Sequence, residues 1–405
     1  MSLLSRYLGP KQAFEGGLFL PDQKAEYARQ PIETLPVDGP LHVPLSHMAD
    51  WSVEPVVRVG DRVLHGSLLS EPSGSAGLPV HSPVSGRVTA FSRAWTPYDG
   101  LVPCVTIEPD ERNEVLSSRH GFENESVIVQ LARHGVMCQS PRAALHEYLH
   151  AAIARGVGDL IINAMETEPY LAADLRTVVE EPGRIVDTAC ELADALGVVR
   201  AIIAVPFRHR RVVRRLNSEA EGRGVEIVAL ADVYPQCSPV LLVKSLLDRE
   251  IPPGGAPLDV GVVVLPLSSI RSAAHALLDD RPVTHAVMTV AGDAIRQPGV
   301  FRVAIGTPIE RLANRLGLAS PMHQVVFGGP LTGVSVDNLS TVVTSECTGA
   351  LFFKSRESVS PVPCIRCGWC VEDCPIGIAP TDFLKSESRS AASAMVLLQA
   401  DACID

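Results

Sequence analysis

The hydrophobic period of this 405-residue chain changes along its length, and that change restricts the folds open to it. From Pro55 to Phe91 the text is short β-type segments punctuated by glycine, Val56-Val-Arg-Val-Gly60-Asp-Arg-Val-Leu-His-Gly66 and then Ser82-Pro-Val-Ser-Gly86-Arg-Val-Thr-Ala-Phe91. Alternating valines with turn glycines predict a small all-β module. Between about 120 and 265 the β-type runs Leu160-Ile-Ile-Asn163, Ala201-Ile-Ile-Ala-Val205 and Val225-Glu-Ile-Val-Ala-Leu230 are separated by stretches of helical length. Strands alternating with helices predict an α/β domain with a mainly parallel sheet. Ligands of such sheets bind at the carboxyl ends of the strands, so Asn163-Ala-Met-Glu166-Thr-Glu168-Pro-Tyr170 is a candidate site.

After the loop Pro252-Pro-Gly-Gly-Ala-Pro257, a second mixed segment runs to about 320. Ala286-Val-Met-Thr-Val290 and Phe301-Arg-Val-Ala-Ile305 predict a hairpin, and Pro308 to Leu316 predicts a short amphipathic helix, together a small β-grasp-like domain. Gly328-Gly-Pro-Leu-Thr-Gly333 then reads as a turn leading into the C-terminal region.

That region carries Cys364-Ile-Arg-Cys367-Gly-Trp-Cys370-Val-Glu-Asp-Cys374-Pro375, the spacing that holds cubane iron–sulfur clusters. Cys364, Cys367 and Cys370 can wrap one cluster, while a fourth cysteine followed by proline normally serves a neighbouring one. Ala402-Cys403-Ile404-Asp405 reads as the opening of a second run, so the native product is expected to continue with further cysteines. The other five cysteines, at 104, 138, 190, 237 and 347, are scattered and expected to be buried small hydrophobes. Clustering of the rest favours metal binding in a reducing compartment over disulfides.

A formal charge of −11 argues against a nucleic-acid binder, which needs a basic face. No apolar stretch reaches the roughly 18 residues of a spanning helix. Met1-Ser-Leu-Leu-Ser-Arg-Tyr-Leu-Gly-Pro10 lacks the basic start and apolar core of a signal peptide, so a cytoplasmic chain is expected.

Taken in order, these pieces resemble the C subunit of the Rnf ion-translocating electron-transport complex, whose α/β core is shared with the NADH- and flavin-binding subunit of respiratory complex I. The resemblance rests on Gly16-Gly-Leu-Phe-Leu-Pro21-Asp-Gln-Lys24, Val56 to Gly66 with Ser82 to Val88, Asn163 to Tyr170, and Tyr234-Pro-Gln236. It continues through Val287-Met-Thr-Val-Ala-Gly292, Gly328 to Gly333, and Pro363-Cys-Ile-Arg-Cys-Gly368. It implies a barrel-sandwich domain over 1–115 and a Rossmann-like α/β domain of the complex I type over 116–257. A β-grasp-like domain over 258–325 and a ferredoxin-like iron–sulfur segment over 326–405 follow. The barrel-sandwich part is also similar to lipoyl and biotin carriers, yet Ser73-Gly-Ser-Ala-Gly77 has no lysine where a carrier presents one. Swinging-arm chemistry is not expected.

By the resemblance, the chain is an iron–sulfur electron-transfer subunit, peripheral on the cytoplasmic face of the inner membrane, in an ion-translocating oxidoreductase complex. Two [4Fe-4S] clusters are implied for the intact protein, on Cys364, Cys367, Cys370, Cys374 and Cys403 with ligands from the second run. Implied partners are the complex's membrane subunits and a small electron carrier such as ferredoxin. Asn163, Glu166 and Glu168 match the flavin and nucleotide contacts. One departure bears on FMN and NADH. The family's Gly-Gly-x-Gly-Phe-Pro loop, whose bare backbone lets flavin and nucleotide approach, is replaced by Gly135-Val-Met-Cys-Gln-Ser-Pro-Arg-Ala-Ala144. Tyr234-Pro-Gln-Cys237-Ser-Pro-Val likewise lacks the family's following Gly-Glu-Lys. Side chains there are expected to obstruct FMN and to weigh against NADH oxidation by this chain, leaving Glu166 and Glu168 as relics or structural residues, or else as a residual flavin or nucleotide contact. A degenerate scaffold or docking subunit is the alternative.

Two further signals stand apart. His146-Glu147-Tyr-Leu-His150 matches the zinc metalloprotease pattern, with Glu166 or Glu168 as a third ligand, but two surface histidines on a helix are the better reading. Arg208-His-Arg-Arg-Val-Val-Arg-Arg215 is expected on the solvated face of a helix, with anionic lipid or an acidic subunit as the alternative contact.

Overall fold

The structure, a computed structural model, describes residues 14–74, 76–116, 125–319, 322–354, 360, 362–383 and 402–404. The glycine-punctuated region folds as two antiparallel sheets. One orders Leu41–Pro44, Gly100–Pro109, Gly86–Thr96 and Arg62–Val63, and the other Val53–Pro55, Leu68–Pro72 and Val80–His81. Leu41, Val43, Val88, Val105 and Ile107 alternate into the space between them and are fully buried. Period-two patterning thus yields the sandwich, and the apolar core runs on without a break into the α/β unit.

That unit has four parallel strands in the order Val225–Leu230, Arg200–Pro206, Asp159–Asn163, Val262–Pro266. Helices Leu145–Arg155, Ala173–Glu180, Pro182–Leu196, Arg210–Ala220, Pro239–Leu247 and Leu267–Leu278 connect and flank them. Leu160, Ile161 and Ile162 are all fully buried, as expected of a central strand covered on both faces. The parallel sheet extends past the boundary expected at 257/258. Val262–Pro266 pairs with Asp159–Asn163 from Asp159↔Val262 to Asn163↔Pro266, so this strand and the following helix complete the parallel sheet.

The third sheet orders Glu33–Thr34, Gly299–Ala304, His285–Ala291, Gly349–Lys354, Met322–Phe327 and Val334–Val336. The expected hairpin is present, with Ala286 opposite Val303 and Met288 opposite Phe301. The expected amphipathic helix spans Ile309–Leu316 and buries Ile309, Leu312, Ala313 and Leu316. Gly349–Lys354 lies parallel to the hairpin's first strand and antiparallel to Met322–Phe327. Residues up to Lys354 therefore belong to this sheet, not to the segment expected from 326 onward.

The basic run splits. Arg210, Arg211, Arg214 and Arg215 lie on the helix Arg210–Ala220, which buries Leu216 and Ala220. Arg208 precedes that helix and pairs with Asp232 and, at 3.6 Å, with Asp22. Among the described residues no helix is long and apolar enough to cross a membrane.

Candidate functional site

The strand Asp159–Asn163 delivers Asn163 to the carboxyl edge of the parallel sheet, where a ligand would be expected. The Asn163 side chain is spent on the protein itself. Its Nδ2 donates to the Cys237 carbonyl at 2.8 Å, and its Oδ1 accepts from the Met165 amide at 3.1 Å.

The two carboxylates that follow are spent as well. Helix Ala173–Glu180 begins at Ala172, which offers no side-chain cap. Glu166 supplies one from outside, accepting from the amides of Asp174 at 3.0 Å and Leu175 at 3.3 Å. Glu168 is buried and accepts from the Leu331 amide at 2.9 Å and from the Thr332 hydroxyl. It occupies the space a Cβ would take on Gly329, which explains why the turn after Phe327 needs glycine there.

Between these groups lies Lys24, 2% exposed. Its ammonium donates to the carbonyls of Glu166 at 3.3 Å, Glu168 at 3.4 Å and Leu171, and lies 3.9 Å from the Glu166 carboxylate. Asp174 is enclosed nearby, and burial first, then the Glu166 charge, raises its carboxyl to about 7. Its Oδ1 has no hydrogen-bond partner among the described residues. Arg271, also enclosed, donates to Thr177 Oγ1 and the Val287 carbonyl at 3.3 Å each, and burial pulls its pKa down.

One pocket at this edge, lined by Lys24, Glu166, Val205, Pro206 and His209, measures about 10 Å³. That is room for one water, whereas cofactor-sized ligands need hundreds of cubic ångströms.

The segment replacing the glycine loop forms a two-stranded hairpin, Met137–Gln139 with Arg142–Ala144. Its side chains bind the protein. Gln139 bonds to the hydroxyl of Ser268 and donates to the Ser345 carbonyl at 3.0 Å, while its amide donates to Ser269 Oγ at 3.2 Å. Arg142 donates to Glu346 at 2.6 and 2.9 Å and to Asp99 at 2.7 Å, which raises its pKa further. Gly135, the glycine that remains, is packed against the Pro79 carbonyl. Among the described residues at this strand end no glycine-rich backbone stands ready to cradle a phosphate, and the side chains of Asn163, Glu166 and Glu168 are engaged by the protein itself, an arrangement that does not fit a flavin.

A cleft of about 580 Å³ opens farther along, between Pro169 and Tyr170 on one side and Phe353 and Lys354 on the other. Tyr170 holds a positive φ of 67° and meets Phe353 edge to face, with ring centroids 5.6 Å apart.

Cys364, Cys367, Cys370 and Cys403 are exposed and Cys374 is half-buried. Arg366 (56°) and Gly368 (90°) hold positive φ within the run, and the Arg366 amide donates to Cys364 Sγ at 3.4 Å. Among the described residues, no three Cys, His, Asp or Glu side chains converge on a metal position. What fits an iron–sulfur cluster is the donor chemistry and the sequence spacing of these thiols, not a preformed geometry. Of the scattered cysteines, Cys104, Cys138 and Cys347 are buried, and burial pushes Cys138 and Cys347 up to about 12; Cys190 and Cys237 are half-buried.

His146, Glu147 and His150 do sit on one helix, Leu145–Arg155, with His150 exposed. The carboxylates considered as third zinc ligands are the two engaged at the helix cap and the Leu331 turn. Sequence reasoning assigns no role to Lys24, Asp174, Arg271 or Gln139. An ionisable Lys24 next to Pro21-Asp-Gln is the one visible signal, and its partners lie more than 140 positions away.

Comparison with known proteins agrees with this architecture. Residues 12–112 match the RnfC Barrel sandwich hybrid domain, and 146–275 match the Nuo51 FMN-binding domain. The chain is 31% identical over 392 residues to the C subunit of the ion-translocating oxidoreductase complex of Rhodobacter capsulatus, covering 92% of this chain and 75% of that protein. The corresponding C subunit of Edwardsiella ictaluri is 30% identical over 91% of this chain, which spans only 47% of its length. The C subunit of the proton-translocating ferredoxin:NAD(+) oxidoreductase complex of Clostridium ljungdahlii is 26% identical, with 91% of this chain and 83% of that one covered. Among solved structures, an NAD+-reducing [NiFe]-hydrogenase in the air-oxidized state shares the fold at a TM-score of 0.50 and 18% identity, over 56% of this chain and 46% of that one. The chain belongs to the family of C subunits of ion-translocating oxidoreductase complexes.

Proposed function

We propose that this chain is an iron–sulfur electron-transfer subunit of a membrane-associated oxidoreductase complex, and that it does not itself oxidise NADH through FMN. The supporting observation is a contrast between two ends of the molecule. Cys364, Cys367 and Cys370 are exposed at ligand spacing, whereas the carboxylates at the strand end are engaged by Lys24, the Ala173–Glu180 helix and the Leu331 turn. Cys364, Cys367 and Cys370 would hold one [4Fe-4S] cluster. Cys374 and Cys403 would serve a second, whose other ligands this sequence does not contain. When bound, such a cluster accepts and passes on single electrons.

Partners on this reading are the membrane subunits of the complex and a small electron carrier such as a ferredoxin, with the chain peripheral on the cytoplasmic face. The third sheet runs helix-backed between two hairpins with a central strand parallel to the first, which supports a β-grasp-like docking domain. The filled strand-end site also favours a second reading, a scaffold that holds clusters or partners without redox turnover.

Anaerobic reconstitution with iron and sulfide tests both. The expected result is bound iron and sulfide, a paramagnetic signal on reduction that Cys367→Ala abolishes, and no quenching of added FMN. Absence of iron with all thiols reduced and the second run's cysteines supplied would overturn the cluster assignment, and tight stoichiometric FMN would overturn the claim about flavin.

A further inference from the structure

From Gly16 to Lys24 the chain crosses the carboxyl edge of the parallel sheet and meets the ends of three strands in turn. Beyond strand Val225–Leu230, Leu18 and Tyr234 exchange amide-to-carbonyl bonds of 2.8 Å. Beyond Arg200–Pro206, Asp22 pairs with Arg208, and its carbonyl accepts the Tyr170 amide at 2.8 Å. Beyond Asp159–Asn163, Lys24 fills the cradle of loop carbonyls. The far end of this strap carries something else. The Gly17 amide donates to the Asp373 carbonyl at 2.8 Å, directly before Cys374.

Both glycines are needed where they stand. Gly16 has φ +82°, and a Cβ on it would lie 2.8 Å from the Asp373 oxygen and 3.0 Å from that of Glu372. Gly17 has φ +86°, and its Cβ would come 3.1 Å from the Tyr234 oxygen. The pair is thus pressed between two backbones, the cysteine turn on one side and the end of the sheet on the other. A side chain would both strain the strap and push the turn away.

We propose that residues 16–24 form a positioning strap, in which Gly16 and Gly17 seat the Cys370–Cys374 turn on the Tyr234 end of the parallel sheet while Lys24 anchors the other end. This rests on the reading of the cysteines as cluster ligands, and it assigns to the strap the place a cluster takes relative to the sheet edge. Electron transfer weakens steeply with distance, so a seat that fixes the turn fixes the rate at which a partner exchanges electrons with it. Gly16 and Gly17 are positioning residues, since neither offers an atom to the metal.

The test compares full-length wild type with Gly16→Val and the milder Gly16→Ala, which keeps the comparison alive if the larger residue prevents folding. Amide hydrogen exchange is read on iron-free chains. The expected result is exchange at least tenfold faster across 368–374, with strands 159–163 and 200–206 unchanged. After reconstitution, iron content should stay at the wild-type value while the rate of cluster loss to an iron chelator rises several-fold. A merely structural glycine would lower the unfolding midpoint and leave both readouts alone. Exchange across 368–374 that is unaltered in both variants overturns the seat. Because exchange is read without iron, an absence of iron in wild type with the second run's cysteines supplied overturns the cluster reading alone.

Discussion

The Lys24 ammonium lies 3.9 Å from the Glu166 carboxylate, and both side chains are more than nine-tenths buried. Three carbonyls complete the shell around the nitrogen. Lys24→Met would leave that shell empty and deprive Glu166 of its paired ammonium, and breaking a buried pair from one side costs about 3–5 kcal/mol. Adding Glu166→Gln should recover part of the loss, because the uncompensated charge then goes too. Denaturant unfolding of the two variants checks this, and a loss below about 1 kcal/mol for Lys24→Met would show that the cradle is not holding the strap.

Glu168 makes a related prediction from the opposite side. Its carboxylate fills the space beside Gly329 and ties down the Leu331 amide and Thr332. Gly329→Ala should expel it and cost about 2–4 kcal/mol, a buried acceptor and its donors being left unpaired. Glu168→Gln keeps the shape and one acceptor and should cost only about 1–2 kcal/mol. If Glu168 served a ligand and not the fold, Glu168→Gln would leave the unfolding midpoint unchanged.

Asp174 should make the protein less stable as pH rises. Burial and the Glu166 charge raise its folded pKa to about 7, against about 3.9 for an unfolded aspartate. The folded state therefore binds the extra proton between about pH 4 and 7, and the stability linked to it is lost as pH climbs through that window. Arg271 and Lys24 oppose the shift without abolishing it. Asp174→Asn should be more stable than wild type by about 1–2 kcal/mol at pH 8, with the difference closing toward pH 4. Unfolding at the two pH values decides it; an asparagine variant weaker at pH 8 would mean that the attraction of Arg271 outweighs burial.

What is legible in the sequence is local. Val63 and Val88 of the glycine-punctuated stretch do face inward, although Val56 and Val59 before them stay exposed outside any strand, and the cysteine spacing is itself a ligand pattern. Val262–Pro266 lies beyond the expected boundary because nothing near it announces that it crosses the sheet to pair with Asp159–Asn163; that choice is made by pairing over about a hundred positions. The candidate site divides the same way. Asn163, Glu166 and Glu168 do stand at a strand end, since the end of an apolar run is visible in the text. Their roles are not visible, because the partners Lys24, Cys237 and Thr332 come from distant segments. The lost glycines are readable as an obstruction, but the hairpin that Gln139 and Arg142 build in their place depends on Ser268, Ser345 and Glu346.

Acid should destabilise the protein through the seam between the sandwich and its neighbours. Histidines crowd that seam. His47 and His81 of the sandwich share it with His134, and His65 meets His285 through the Thr284 hydroxyl, with rings 5.5 Å apart. Burial first of all lowers His47 to about 4 and His81 and His285 to about 3, and it also lowers His65 and His134. The neighbouring Arg133 and Arg281 add to the effect, whereas Asp280 opposes it at His134. In the unfolded chain these rings titrate near about 6.5, so the unfolded state takes up protons first as pH falls. Stability linked to them is complete above about pH 6.5 and declines below it, each such ring contributing about 1.4 kcal/mol per pH unit while only the unfolded state is protonated. Calorimetry from pH 8 to 5 should show a flat unfolding midpoint above about 6.5 and a steep fall beneath it. His81→Gln and His285→Gln should each reduce the slope by about one proton's worth. A midpoint unchanged down to pH 5 would mean that the seam histidines reach water and that burial does not hold them neutral.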